Sequence, residues 1–118
     1  MMQVRNLEGK TFGSLITGVD LENLSNETWV GLHRLWIERA LLIFPKVFLS
    51  PDGQDEFALR FGNLEFPRTA ISNIGKGEKL HHEISDDVVK VLRGNEGWHH
   101  DSTYMPVQAK AAVFSAEI

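Results

Sequence analysis

The densest group of chemically capable side chains in this sequence is Trp98-His99-His100-Asp101-Ser102-Thr103-Tyr104. In a strand or a tight turn, residues two apart share one side, so His99 and Asp101 can offer an imidazole nitrogen and a carboxylate oxygen to a single ion. His100, between them, is expected to point the other way. The pair would form two corners of a 2-His-1-carboxylate face, which suits Fe(II) because it holds the metal on one side and leaves the remaining positions for co-substrate and dioxygen. Spacing alone does not select this pair. His81 and Glu83 have the same separation, and either group also reads as a polar turn with a surface carboxylate. Context favours His99 and Asp101: the His81 group lies in a glycine-rich loop, whereas the His99 group is expected between two strands, a more rigid mounting for a metal.

The elements that would mount this group follow from periodicity and punctuation. Between Val4 and Val19, Gly9, Gly13 and Gly18 separate short apolar stretches, which predicts one or two short strands joined by turns. Ser25 or Asn26 then caps a helix whose apolar positions Trp29, Leu32, Trp36 and Ala40 recur at spacings of three and four. On that face Trp29 and Trp36 read as core, and His33 as structural or exposed. Leu41-Leu42-Ile43-Phe44, closed by Pro45, predicts a buried strand. Ser50-Pro51 opens a second helix, Pro51 to Phe61, which Gly62 stops. From Phe66 to Asp87, Pro67, Ser72, Asn73, Gly75 and Gly77 break any period and predict a long mobile loop, a candidate lid. Beyond it, Val88, Val89 and Val91 suggest a strand from Asp87 to Leu92, Arg93 to Gly97 a turn, and Ala109 to Ala116 a buried strand.

Composition bounds the chemistry. With 118 residues, 42% hydrophobic and 24% charged, the chain amounts to one soluble domain or a piece of one. A formal charge of −4 and scattered basic residues argue against a nucleic-acid surface, which needs clustered Lys and Arg. The absence of cysteine removes disulfides, thiolate catalysis and zinc–thiolate sites, so a metal here must be held by His and carboxylates. No apolar run spans a bilayer and the first residues lack a secretory core, so a cytoplasmic protein without a membrane partner is expected.

Taken in order, Gly18-x-Asp20-Leu21, the helix running into Leu41-Leu42-Ile43-Phe44, Leu49-Ser50 with Phe57-Ala58-x-x-Phe61-Gly62, and Trp98-His99-x-Asp101 followed by Pro106 resemble the taurine dioxygenase (TauD/TfdA) family. The resemblance spans nearly the whole chain. It implies an α+β chain forming part of a double-stranded β-helix, a jelly-roll-like, cupin-type barrel preceded by helices. It also implies Fe(II) held by His99 and Asp101, 2-oxoglutarate as co-substrate, and hydroxylation of an aliphatic C–H bond in a small molecule. By the same resemblance Asn95, four residues before His99, falls where the family places a residue facing the substrate; as a bare residue it reads equally as a turn former. Tyr104 would line the same pocket, or pack near a strand end.

The resemblance also implies parts that this sequence does not contain. The family's third ligand, a downstream His, and the Arg that grips 2-oxoglutarate would both fall beyond Ile118. The expectation is therefore a single incomplete domain over residues 1–118, lacking the later strands of the barrel and inactive in isolation. Arg60, Arg68 and Arg93 as substitute grips, and His81, His82 or His100 as a substitute ligand, have no spacing that aims them at His99. Family-type aromatic and His contacts are not evident around Phe66 to Ala70, which argues against a taurine-like sulfonate. Open strands would favour a homo-oligomer that covers Val113 and Phe114. The alternative function is a non-catalytic remnant or interaction module that associates through those strands.

Overall fold

The computed structural model describes residues 1–65 and 86–116, which fall into two compact units, Met1–Gly62 with Val113–Ile118, and Asn63–Ala112. The first unit is built on a three-stranded sheet in the order β1-β2-β3: β1 (Gln3–Asn6), β2 (Ser14–Thr17) and β3 (Leu42–Ile43). β1 and β2 are antiparallel, with Val4 opposite Ile16, so the glycine-punctuated stretch forms a hairpin of two strands. At its end Gly18 adopts φ +69°, and a Cβ there would run into the Met1 carbonyl oxygen. Just beyond, Asp20 fastens the turn leading to the first helix: Oδ1 accepts from the Glu22 and Asn23 backbone N–H, and Oδ2 from Asn23 Nδ2. These bonds, the Asn23 side chain's foremost, hold the Asp20 carboxyl below its ordinary value of 3.8.

β2 pairs in parallel with β3, which a tight turn cannot connect, and helix α1 (Asn26–Arg39) makes the crossover. Ser25 caps α1, its Oγ accepting from Thr28 N at 3.1 Å. Leu32, at 1% exposure, joins Ile16, Leu21, Leu24 and Phe57 in the core, with Trp29 and Leu35 packed against it. Ala40 does not extend this face as its spacing suggested. It leaves the helix at φ +61°, and the freed chain docks on β2 through Gly13 N to Arg39 O (2.8 Å) and Ser14 N to Leu41 O (2.9 Å). The predicted strand Leu41 to Phe44 shortens to two residues and is half-buried: Leu42 and Phe44 face the core while Leu41 and Ile43 are exposed. An edge strand covered on one face alternates in this way.

Helix α2 (Pro51–Leu59) starts as its Ser-Pro signal predicts, Ser50 Oγ accepting from Gly53 N at 3.0 Å with Pro51 in the first turn. Its last turn tightens, with Phe61 N bonding Ala58 O and Gly62 N bonding Leu59 O, so the regular helix ends two residues before Phe61. Phe57 and Phe61 meet Trp29 edge-on, at ring separations of 6.2 and 5.0 Å, and Phe61 meets Trp36 at 5.1 Å. Both tryptophans are therefore packing residues, and this ring cluster ties α2 to α1. Each such pair adds about 0.5–1.5 kcal/mol beyond the area it buries.

Two predicted strands are absent. Asp87 to Leu92 belongs to helix α3 (Asp87–Gly94), in the second unit, whose start is capped by Asp86 Oδ1 accepting from Val88 N at 2.8 Å. Val88, Val89 and Leu92 share its half-buried side, and Asp87 pairs with Lys90 one turn on. The carboxylate cap and this helical spacing outweigh the weak β preference of valine. Ala109 to Ala116 makes no ladder and is mostly exposed; near its end Val113 O accepts from Gln54 Nε2, and Phe114 is 85% exposed. Of the predicted loop Phe66 to Asp87, residues 66–85 lie outside the described residues, and Asp86 and Asp87 open α3. Among the described residues no helix is long and apolar enough to cross a membrane.

Leu32→Ala should cost about 2–5 kcal/mol, whereas Val30→Ala on the same helix, at a site 55% exposed, should change stability by no more than about 0.5 kcal/mol; urea denaturation of both variants checks this. Because the folded-state value of Asp20 is lowered, its ionised form stabilises the fold above the ordinary carboxylate range, and that contribution is lost as pH falls through the folded value. Asp20→Ala should thus be less stable than wild type at neutral pH, with the gap closing as pH falls below 3.8; an unchanged gap would contradict the capping role.

Candidate metal centre

After α3 the chain unwinds through tight turns, Asn95 N bonding Leu92 O at 3.1 Å and Glu96 N bonding Arg93 O at 3.2 Å. Asn95 is the helix C-cap. His99 and Asp101 thus stand on a loop after a helix, instead of between two strands. Their side chains nevertheless meet, with His99 Nε2 3.2 Å from Asp101 Oδ1.

The other ring nitrogen gives this contact its chemical sense. His99 Nδ1 lies 2.7 Å from the Gly97 carbonyl oxygen. A carbonyl only accepts, so the hydrogen is assigned to Nδ1, and in the neutral ring the lone pair sits on Nε2, facing the carboxylate. Two acceptors then share one space, which calls for a cation or a proton between them. If the ring is protonated, the pair is an ion pair with side chains 47% and 68% exposed; such pairs contribute at most about 1 kcal/mol. A metal suits the same geometry. Two ligands at about 2.1 Å from one ion and at right angles are ~3.0 Å apart, close to the observed separation. A backbone carbonyl on the far nitrogen is also the usual outer partner of a metal-binding imidazole.

Other sequence-derived candidates fall elsewhere. Asn95, Trp98 and Tyr104 are exposed, and no hydrogen bond links Asn95 or Tyr104 to His99 or Asp101 among the described residues. His81, His82, Glu83 and Arg68 lie outside the described residues. Arg60 is engaged in the first unit, donating to Leu24 O at 3.2 Å and lying over the Trp29 ring. His33 is exposed and contacts Trp29 and Trp36 edge-on. It lines an open groove of ≈ 440 Å³ with Trp29, Val30, Arg34, Ile37 and Arg60. Among the described residues no third His, Asp or Glu joins His99 and Asp101 in a metal-holding group.

Two residues escaped sequence reasoning. Ser102, next to Asp101, is buried, and its Oγ donates to Glu65 Oε2 at 2.8 Å. Nothing in the sequence links positions 37 residues apart.

Comparison with known proteins places these features. The profile of the "Taurine catabolism dioxygenase TauD, TfdA family" matches residues 3–118. A (S)-phenoxypropionate/alpha-ketoglutarate-dioxygenase of Sphingobium herbicidovorans is 53% identical over 109 residues, covering 92% of this chain and 38% of that protein. Its namesake from Delftia acidovorans is 47% identical over 117 residues, covering 93% and 40%. The chain therefore spans about two fifths of the length of these curated relatives. The crystal structure of AAD-2 in complex with Mn(II) and N-oxalylglycine superposes with a TM-score of 0.80 at 27% identity, covering 92% of this chain and 39% of that one. With a sheet and helices that superpose on such a protein and a family match over nearly its full length, the chain belongs to the taurine catabolism dioxygenase TauD, TfdA family.

Proposed function

We propose that this chain supplies His99 and Asp101 as two protein ligands of Fe(II) in a 2-oxoglutarate-dependent oxygenase that hydroxylates an aliphatic C–H bond of a small organic substrate. The observation that carries this reading is the 3.2 Å approach of Nε2 and Oδ1 with Nδ1 already committed to the Gly97 carbonyl. The relatives' names support 2-oxoglutarate as co-substrate and favour an aryloxyalkanoate such as phenoxypropionate over a sulfonate. On the same reading the three-stranded sheet is part of a double-stranded β-helix, and Asn95 and Tyr104 face the substrate.

The chemistry supplied by bound Fe(II) is dioxygen activation coupled to oxidative decarboxylation of 2-oxoglutarate to succinate and CO₂. The protein's part is orientation. Gly97 O fixes the tautomer and ring plane of His99, so that Nε2 is the nitrogen presented. Asp101 contributes the charge that offsets the cation. His99 and Asp101 would hold the ion through neighbouring donor atoms, which would leave its other positions for small molecules.

A metal titration tests the ligands. His99→Ala and Asp101→Ala should each weaken Mn(II) or Fe(II) binding by more than the roughly 10–100-fold typical of an outer-sphere partner, while His81→Ala and Glu83→Ala leave it unchanged. Binding that follows His81 and Glu83 instead would sink the assignment. Since two ligands are one fewer than the face requires, the 118 residues alone should release no succinate above a free-iron background. Succinate formed by the purified chain after anaerobic loading and exposure to oxygen, and abolished by Asp101→Ala, would overturn that expectation.

A further inference from the structure

Ser102 follows Asp101 directly and adopts φ +58°, a left-handed conformation that non-glycine residues seldom take. It is only 7% exposed, whereas every residue from Arg93 to Asp101 is exposed. Two bonds hold it: Oγ donates to Glu65 Oε2 at 2.8 Å, and its carbonyl accepts from Met105 N at 3.0 Å. The first, a part-buried bond to a carboxylate, can maintain a backbone conformation that serine would otherwise leave. The second Glu65 oxygen, Oε1, is buried with no hydrogen-bond partner among the described residues.

The consequence lies one residue upstream. His99 is restrained from its own side by the Gly97 carbonyl, but no hydrogen bond other than its contact with His99 restrains the Asp101 carboxylate among the described residues. What limits Asp101 is the peptide that joins it to Ser102, and that peptide is fixed through Ser102. We propose that Glu65 is a positioning residue for the metal centre: by gripping Ser102 Oγ it locks the left-handed turn and sets the direction in which Asp101 presents Oδ1 to His99 Nε2. This inference rests on the reading of His99 and Asp101 as metal ligands.

Mn(II) binding to the full chain, followed by the electron paramagnetic resonance of the free ion, separates the two claims. Wild type and His99→Ala report on the ligand reading. If wild type binds and His99→Ala does not, Glu65→Ala and Ser102→Gly should bind about 10–100-fold more weakly. Glu65→Gln, whose amide oxygen can still accept from Ser102, should recover most of the affinity. Ser102→Gly keeps the left-handed turn accessible without strain but removes the donor to Glu65 Oε2, so affinities are compared at a temperature where every variant is folded; a loss in Ser102→Gly and Glu65→Ala that Glu65→Gln recovers is not what a merely structural bond would produce. In the metal-free protein, amide exchange at Met105 should speed up in Glu65→Ala and not in Glu65→Gln. Wild-type affinity in both Glu65→Ala and Ser102→Gly, with His99→Ala inactive in binding, would overturn the positioning role and leave the ligand reading intact. Failure of wild type to bind Mn(II) through His99 would overturn both.

Discussion

Ile16 has no accessible surface, and the strand that carries it is the one with neighbours on both sides. Because β3 pairs with β2 in parallel, the chain must travel the full length of the sheet before returning, and α1 is the element that spans this distance. Placing Leu32 on α1 over the sheet buries the two apolar side chains together. Everything else in the first unit answers to that arrangement. The helix has to end where Arg39 O meets Gly13 N, so Ala40 takes a left-handed turn at a cost of order 1–3 kcal/mol that the surrounding contacts offset. α2 then closes the core from the side through Phe57 and the edge-on rings of Phe61, Trp29 and Trp36.

Short polar side chains do the local fastening. Ser25, Ser50 and Asp86 each satisfy an amide that a helix start leaves without a partner, and Asp20 does the same for the turn before α1. The loop that carries His99 and Asp101 is fastened over a longer reach, Ser102 Oγ donating to the Glu65 carboxylate. Its order depends on hydrogen bonds to particular side chains, where a strand would draw on ladder pairing.

Much of this was legible in the sequence wherever a local rule operates. Both early helices begin at the Ser residues that signal them, because an N-cap is a contact within four residues. The glycines marked one or two short strands joined by turns, of which two form, and the core face of α1 followed from the spacing of Trp29 and Leu32. Membership of the oxygenase family was legible in the ordered series ending at Trp98-His99-x-Asp101, since such a series is a property of the chain and requires no coordinates. The two strands expected around His99 failed for a physical reason. Valine content is a weak preference, and it lost to the Asp86 cap at Asp87–Gly94; Ala109–Ala116 pairs with no strand among the described residues.

What only the tertiary structure decided are the contacts between residues far apart or the directions of single atoms. The parallel register of β2 with β3, the docking of Arg39 on Gly13 and the ring cluster of α1 and α2 depend on elements meeting in space. So do the tautomer of His99, the 3.2 Å approach of Nε2 to Oδ1, and the reach of Ser102 to Glu65. Residue types and spacing state which groups are available to a metal; they do not carry the dihedral angles that aim them, because those are set by hydrogen bonds formed after the chain has folded.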